Sequence, residues 1–232
     1  MVASALKLTT LFPAYFPPLF WWQKAGAADV VVLLDDLPKP RLSHIDRCQV
    51  KSAEGRNALT IPVHGSKKEY PVINQLKIDT TKNWRRVHCA GMQSNYSNSP
   101  YFEYYFPCLV NFWAGAESNF SEVCLKSIRL VAKLLRLNLN FVFHSQWPTK
   151  GEKENRVMEL MQRHHCQSYV IEANHDTYFR DDFLLKKSYF LQEIRPNSSE
   201  YEQQFGRFIP GLSILDTLFN EGPYVVQLMN EE

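Results

Sequence analysis

Hydrophobic positions along the chain alternate between short β-branched runs and helical stripes. Leu6–Leu11 is a short apolar run that predicts a first strand. Pro17 and Pro18 suit the opening of a helix, where a missing N–H costs little, and that helix runs through Leu19, Phe20, Trp21 and Trp22 to Gly26. Asp29-Val-Val-Val-Leu-Leu34 is continuous apolar sequence bounded by charge, the pattern of a strand covered on both faces. Strand, helix and strand in this order form a βαβ unit with a right-handed crossover.

Residues 38–65 read differently. Prolines, charges and short extended pieces such as Ala58–Val63 predict a β-rich excursion, with Pro62 on an edge. Leu76–Asp79 is a further extended piece. The Thr80–Thr81 pair then caps a helix carrying Trp84, Val87, His88, Gly91 and Met92. Ser99–Pro100 starts another, with Tyr101, Tyr104, Tyr105 and Cys108 at three- and four-residue spacing. Ser118–Leu135 gives a third, with Phe120, Val123, Cys124, Ser127, Val131 and Leu134 near one stripe. Leu139–Phe143, Ser168–Ile171 and Ser188–Ile194 read as strands and Glu152–His164 as a helix. Leu212, Ile214, Leu215, Leu218 and Phe219 mark an amphipathic closing helix. The alternation predicts an α/β fold in one domain over residues 1–232. Its architecture is a three-layer, mostly parallel sheet with a small β-rich excursion (38–79) and a helical annex (80–136).

Composition narrows the function classes. With 45% hydrophobic and 22% charged residues the chain can bury a sizeable core, which sets disorder aside. A net charge of +2 does not favour nucleic acid. The local basic excess at Lys82, Arg85 and Arg86 suits a substrate phosphate or carboxylate instead. No run approaches the roughly 20 apolar residues of a membrane span. The N-terminus, with Lys7 as its early cation and prolines at 13, 17 and 18, does not read as a signal peptide. Five cysteines, Cys48, Cys89, Cys108, Cys124 and Cys166, are scattered and never spaced as CxxC, so reduced thiols in a cytoplasmic protein are expected.

Asp35 and Asp36 follow the buried run, where open α/β sheets bind ligands. In extended chain the two carboxylates point apart. One could orient a hydroxyl or accept an amine proton while the other caps the next turn, or both are solvated loop aspartates. His88 shares a helix face with Trp84 and Arg85; it reads as an acid/base group beside an anion clamp, or as a surface histidine on an aromatic packing face. Arg41, His44 and Arg47, spaced by three, would line an anion pocket or form one basic face. His144 occupies another strand end and Ser145 follows it, but no G-x-S-x-G elbow accompanies them, which argues against serine hydrolase chemistry. Aromatic residues such as Tyr101 could stack on sugar rings or pack in the core. His164, His165 and Cys166 point about 100° apart on a helix and do not make a metal site. The chain lacks G-x-G-x-x-G and P-loop patterns, so no cofactor is expected.

Several collinear stretches resemble the WbqC-like protein family of bacterial surface-polysaccharide gene clusters. Pro13-Ala-Tyr-Phe-Pro17 resembles its Q-P-x-Y-L-P opening, and Asp29–Asp36 its D-x-x-x-F-L-D-D element. Arg41-Leu-Ser-His-Ile-Asp-Arg47 resembles K-R-S-W-I-N-R, Ala58–Val63 the L-T-I-P-V strand, and Ile73–Asp79 the I-N-E-V-K-I-D segment. Trp84–His88, Pro100–Phe102 and Leu212–Asn220 complete a set that spans the chain. Phe12, His44 and Asp46 stand where the family has Gln, Trp and Asn. The resemblance implies a cytoplasmic transferase of O-antigen synthesis that moves an acyl or aminoacyl group from a donor onto a nucleotide-linked amino sugar. It puts Asp35, Asp36 and His88 in acid/base or orienting roles and Arg41, His44, Arg47, Trp84, Arg85, Tyr101 and His144 around the substrate. The alternative is a non-catalytic sugar-nucleotide-binding or scaffold protein of the same pathway. Nothing in the residues compels an oligomer.

Overall fold

The computed structural model describes residues 5–40, 44–64, 71–173, 189–195 and 200–230. Its centre is a parallel sheet of β1 (Lys7–Leu11), β2 (Val30–Leu33), β5 (Phe141–Phe143), β6 (Ser168–Glu172) and β7 (Phe190–Ile194). Their spatial order is β5-β2-β1-β6-β7, with every adjacent pair parallel. The predicted βαβ unit is present: α1 (Leu19–Gly26) follows Pro18 and connects β1 to β2. Ser188, at the start of one predicted strand, lies outside the described residues.

Side chains alternate across the sheet and meet two separate cores. Val31 and Leu33 join α1 and the helices α2 (Trp84–Tyr96), α3 (Phe102–Trp113), α4 (Phe120–Leu134), α6 (Ile214–Glu221) and α7 (Val225–Asn230). Val30, Val32 and Leu34 face Val157, Leu160 and Met161 of α5 (Glu154–Arg163). All four β2 residues are buried because both faces are covered, which gives the three layers expected from the sequence.

The excursion is an antiparallel hairpin, β3 (Arg47–Ser52) with β4 (Gly55–Thr60), whose turn uses Gly55 at φ +107°. The strand expected through Val63 ends at Thr60. Pro62 has no N–H to offer a ladder, and Val63 makes only an isolated bridge to Ile78. Helix starts also move by a residue or two. Thr81 is held by the Asp79 carboxylate rather than capping α2, and α4 starts at Phe120, capped by Asn119, which accepts the Glu122 N–H. In α3 the buried stripe is Phe102, Tyr105, Leu109, Phe112 and Trp113; Tyr105 of the predicted set belongs to it, whereas Tyr101 and Tyr104 are exposed. Among the described residues no helix is long and apolar enough to cross a membrane.

Chain order and spatial order together fix the place of interest. β1, β2 and β5 proceed toward one edge, then the chain returns to place β6 and β7 on the other side of β1. The reversal leaves a crevice between β1 and β6 at their carboxyl ends, where doubly wound sheets bind ligands.

Candidate functional site

The loop that leaves β1 at this crevice, Phe12 to Pro18, is held under strain. Phe16 is fully buried with φ +43°, a conformation in which its Cβ crowds its own backbone. Two buried serines hold it there. Ser127 Oγ accepts the Phe16 N–H at 3.2 Å, and Ser213 Oγ donates to the Phe16 carbonyl at 2.8 Å. The indole N–H groups of Trp21 and Trp22 donate to the carbonyls of Phe12 and Pro17. Strain retained by dedicated partners is characteristic of ligand sites.

A cavity of about 1020 Å³ opens above this loop. Its walls combine the β1–α1 loop, the β3–β4 hairpin, the end of β6, Arg195 just after β7 and the segment before α6. Arg47, Arg56, Arg195 and His44 supply cationic or hydrogen-bonding groups, and Phe16, Phe20, Trp21 and Tyr201 supply rings. Arg47 Nε lies 3.6 Å from Asp46, which also pairs with Lys39 Nζ at 2.6 Å, and Arg56 donates to the Pro210 carbonyl. Glu172, at the end of β6, brings a carboxylate to the same wall. Tyr201 donates to Asp216 at 2.6 Å, and Tyr96 donates to the other oxygen of that carboxylate at 2.7 Å. Burial raises the Asp216 pKa against these bonds and the nearby Lys51 charge. A fixed polar floor thus anchors the Tyr201 ring.

The Asp35–Asp36 element sits one strand away and is committed to a different geometry. Buried Asp35 accepts the Ser145 N–H at 3.0 Å and its hydroxyl at 2.6 Å. Asp36 lies 2.5 Å from His144 Nδ1. The Thr149 N–H points at His144 Nε2 at 3.3 Å, so a neutral ring carries its proton on Nδ1 and donates to Asp36. The chain turns at Asp35–Asp36 rather than staying extended, and the two carboxylates take different partners, tying the end of β2 to the first two residues after β5, Asp36 to His144 and Asp35 to Ser145. The sequence paired neither aspartate with its partner. Asp35, Asp36 and His144 do not line the large cavity.

His88 belongs to neither group. It is buried with its Nε2 3.3 Å from the Thr60 carbonyl and its Nδ1 3.0 Å from the Tyr15 hydroxyl, which accepts from Trp113 Nε1 at 2.8 Å. Donation from Nε2 leaves Nδ1 to accept from Tyr15. Burial pulls the His88 pKa down to about 4, so the ring is neutral near pH 7. This is a core chain of polar groups: the aromatic packing face is present, with His88 buried in it beside Trp84 rather than on the surface. Trp84 is also buried. The Arg85 guanidinium lies 4.4 Å from the centre of the Trp84 ring and donates to the Glu117 carbonyl at 2.6 Å. Tyr101 covers Gly222, where an added Cβ would approach its ring to 2.5 Å. Arg41 lies outside the described residues. Of the predicted residues, His44 and Arg47 line the cavity, and Arg56, Glu172, Arg195 and Tyr201 join them. Glu172 and Arg195 each follow a strand that the sequence predicts, so the strand-end reasoning applied to Asp35 points to them as well. Arg56 carries no such signal.

A family model described as the WbqC-like protein family matches residues 13–227, from the strained loop through α6 and into α7. The chain belongs to the WbqC-like family. It is 22% identical over 221 residues to Rv1507c, an uncharacterized protein of Mycobacterium tuberculosis, covering 93% of this chain and 94% of that one. No solved structure matches it. The matched range of the WbqC-like model contains every residue assigned above to the large cavity.

Proposed function

We propose that this WbqC-like protein is a transferase of bacterial surface-polysaccharide synthesis that binds a nucleotide-linked amino sugar in the switch-point cavity and acylates or aminoacylates its amine. The observation that carries the reading is the lining of that cavity, three arginines among aromatic rings at the carboxyl edge of a doubly wound sheet. Guanidinium forks match phosphate oxygens, and rings stack on base or sugar. A volume of about 1020 Å³ accommodates a ligand of nucleotide-sugar size.

In the chemical step the sugar amine attacks the acyl carbon of an activated donor. The C–N bond forms, the bond from acyl carbon to leaving group breaks, and Glu172 takes the amine proton. This moves the acid/base role from Asp35, Asp36 and His88 to a residue that lines the cavity. Incubation with UDP- and dTDP-linked amino sugars plus acyl and aminoacyl donors, followed by mass spectrometry, tests the reading. The expected result is a product heavier by one acyl or aminoacyl group, lost in Glu172→Gln while sugar-nucleotide binding persists. Tight binding with no product across the panel identifies a binding protein instead, and absence of binding overturns both readings.

A further inference from the structure

We propose that a second, smaller cavity on the same carboxyl edge binds a small organic acid by its carboxylate. This cavity, of about 300 Å³, lies over Leu11 of β1, Leu34 beyond β2 and Tyr169 of β6. It shares Ala14, Trp21 and Ile45 with the large cavity, so those residues form a common wall. The site does not depend on what the large cavity holds.

Leu11, Leu34, Leu37 and Val157 make most of the enclosure apolar, yet Lys24, Lys153 and Arg156 also line it. Among the described lining residues no carboxylate stands beside Lys153 or Arg156. Arg156 Nε is buried and has no hydrogen-bond partner among the described residues. Such a donor is costly to leave unpaired in the folded state, and a ligand oxygen would satisfy it. Lys24 is only 6% exposed, so a cationic chain is packed beside this apolar space. Lys153, just before α5, is held at φ +48°, a second strained backbone on this edge.

The chemistry selects the ligand class. A guanidinium presents two parallel N–H groups to a carboxylate, and the leucine and valine walls cover an aliphatic body. Inorganic phosphate would meet the cations but leave the apolar walls facing water. The volume stands at the lower limit for small-molecule sites, which favours a short acid.

Isovalerate, isoamyl alcohol and inorganic phosphate are suitable probes, read by ligand-observed NMR and calorimetry on the full chain. Isovalerate should bind saturably and at least about tenfold more tightly than the alcohol, the difference expected of a charge-assisted hydrogen bond. Arg156→Met should remove that preference. Lys153→Met, at an exposed position that leaves the core intact, should weaken isovalerate binding and not that of the alcohol. Equal affinity for acid and alcohol, phosphate binding as tightly as isovalerate, no saturable acid binding, or an unchanged isovalerate Kd in both variants would each overturn the proposal.

Discussion

At the scale of single residues, the cavity depends on Phe16 staying in a backbone conformation that its side chain disfavours. Ser127 is the partner whose loss isolates the effect, since its hydroxyl is the acceptor of the Phe16 N–H. Ser127→Ala should lower unfolding free energy by about 1–3 kcal/mol, the range for a buried donor left unpaired, as measured by urea denaturation. Sugar-nucleotide affinity should fall with it, because the loop carrying the aromatic wall loosens. His88 makes a separate prediction. Its folded pKa of about 4 lies below the ordinary 6.5, so the unfolded chain binds more protons between those values. The contribution of neutral His88 is therefore complete above about pH 6.5 and is lost as pH falls toward 4, by up to about 3 kcal/mol. A pH series of denaturation curves should show this slope in the wild type and a flatter one in His88→Gln. The sequence placed His88 with Trp84 and Arg85 correctly. Spacing along a helix defines a face but does not reveal whether it points to solvent or to Tyr15 and the Thr60 carbonyl.

At the scale of elements, periodicity located the strands and helices well because each buries a continuous stripe or run. Their ends were less legible, since caps depend on which local side chain reaches a free N–H: Asn119 caps α4, and Asp79 diverts Thr81. The α3 stripe has a similar origin. Tyr101, Tyr104, Tyr105 and Cys108 satisfy helical spacing as well as the observed stripe does, and only the neighbouring elements decide that Tyr105 faces the core and Tyr104 does not. Tyr101 instead closes over Gly222 at the end of α6, where φ is +57°. Gly222→Ala should be destabilising on two counts, the left-handed backbone and a methyl group that meets the Tyr101 ring. A loss of about 1–3 kcal/mol is expected, visible as a lowered Tm. The paired clamps Asp35–Ser145 and Asp36–His144 belong to this scale too. Each partner was noticed as a strand-end residue, but the adjacency of β2 and β5 that joins them is a property of strand order.

At the scale of the whole molecule, the fold class was legible and the site was only partly so. A parallel, three-layer sheet follows from alternating strands and helices. The order β5-β2-β1-β6-β7 does not, and it is this order that puts the crevice between β1 and β6 rather than beyond β2. Asp35 and Asp36 therefore lie on the same edge of the sheet as the cavity, one strand away from it. The cavity draws on Phe16, Arg47, Arg56, Glu172, Arg195 and Tyr201, residues separated by most of the chain and gathered only by folding. Calorimetric titration of UDP-linked amino sugar into the wild type and the Arg47→Ala/Arg195→Ala double variant tests whether the cavity's arginines hold a nucleotide sugar. Wild-type binding is expected to weaken with salt, and the Kd of the double variant to be at least about tenfold higher, as when charge-assisted phosphate contacts are lost. Tight binding with the same Kd in both proteins would contradict that role for the arginines.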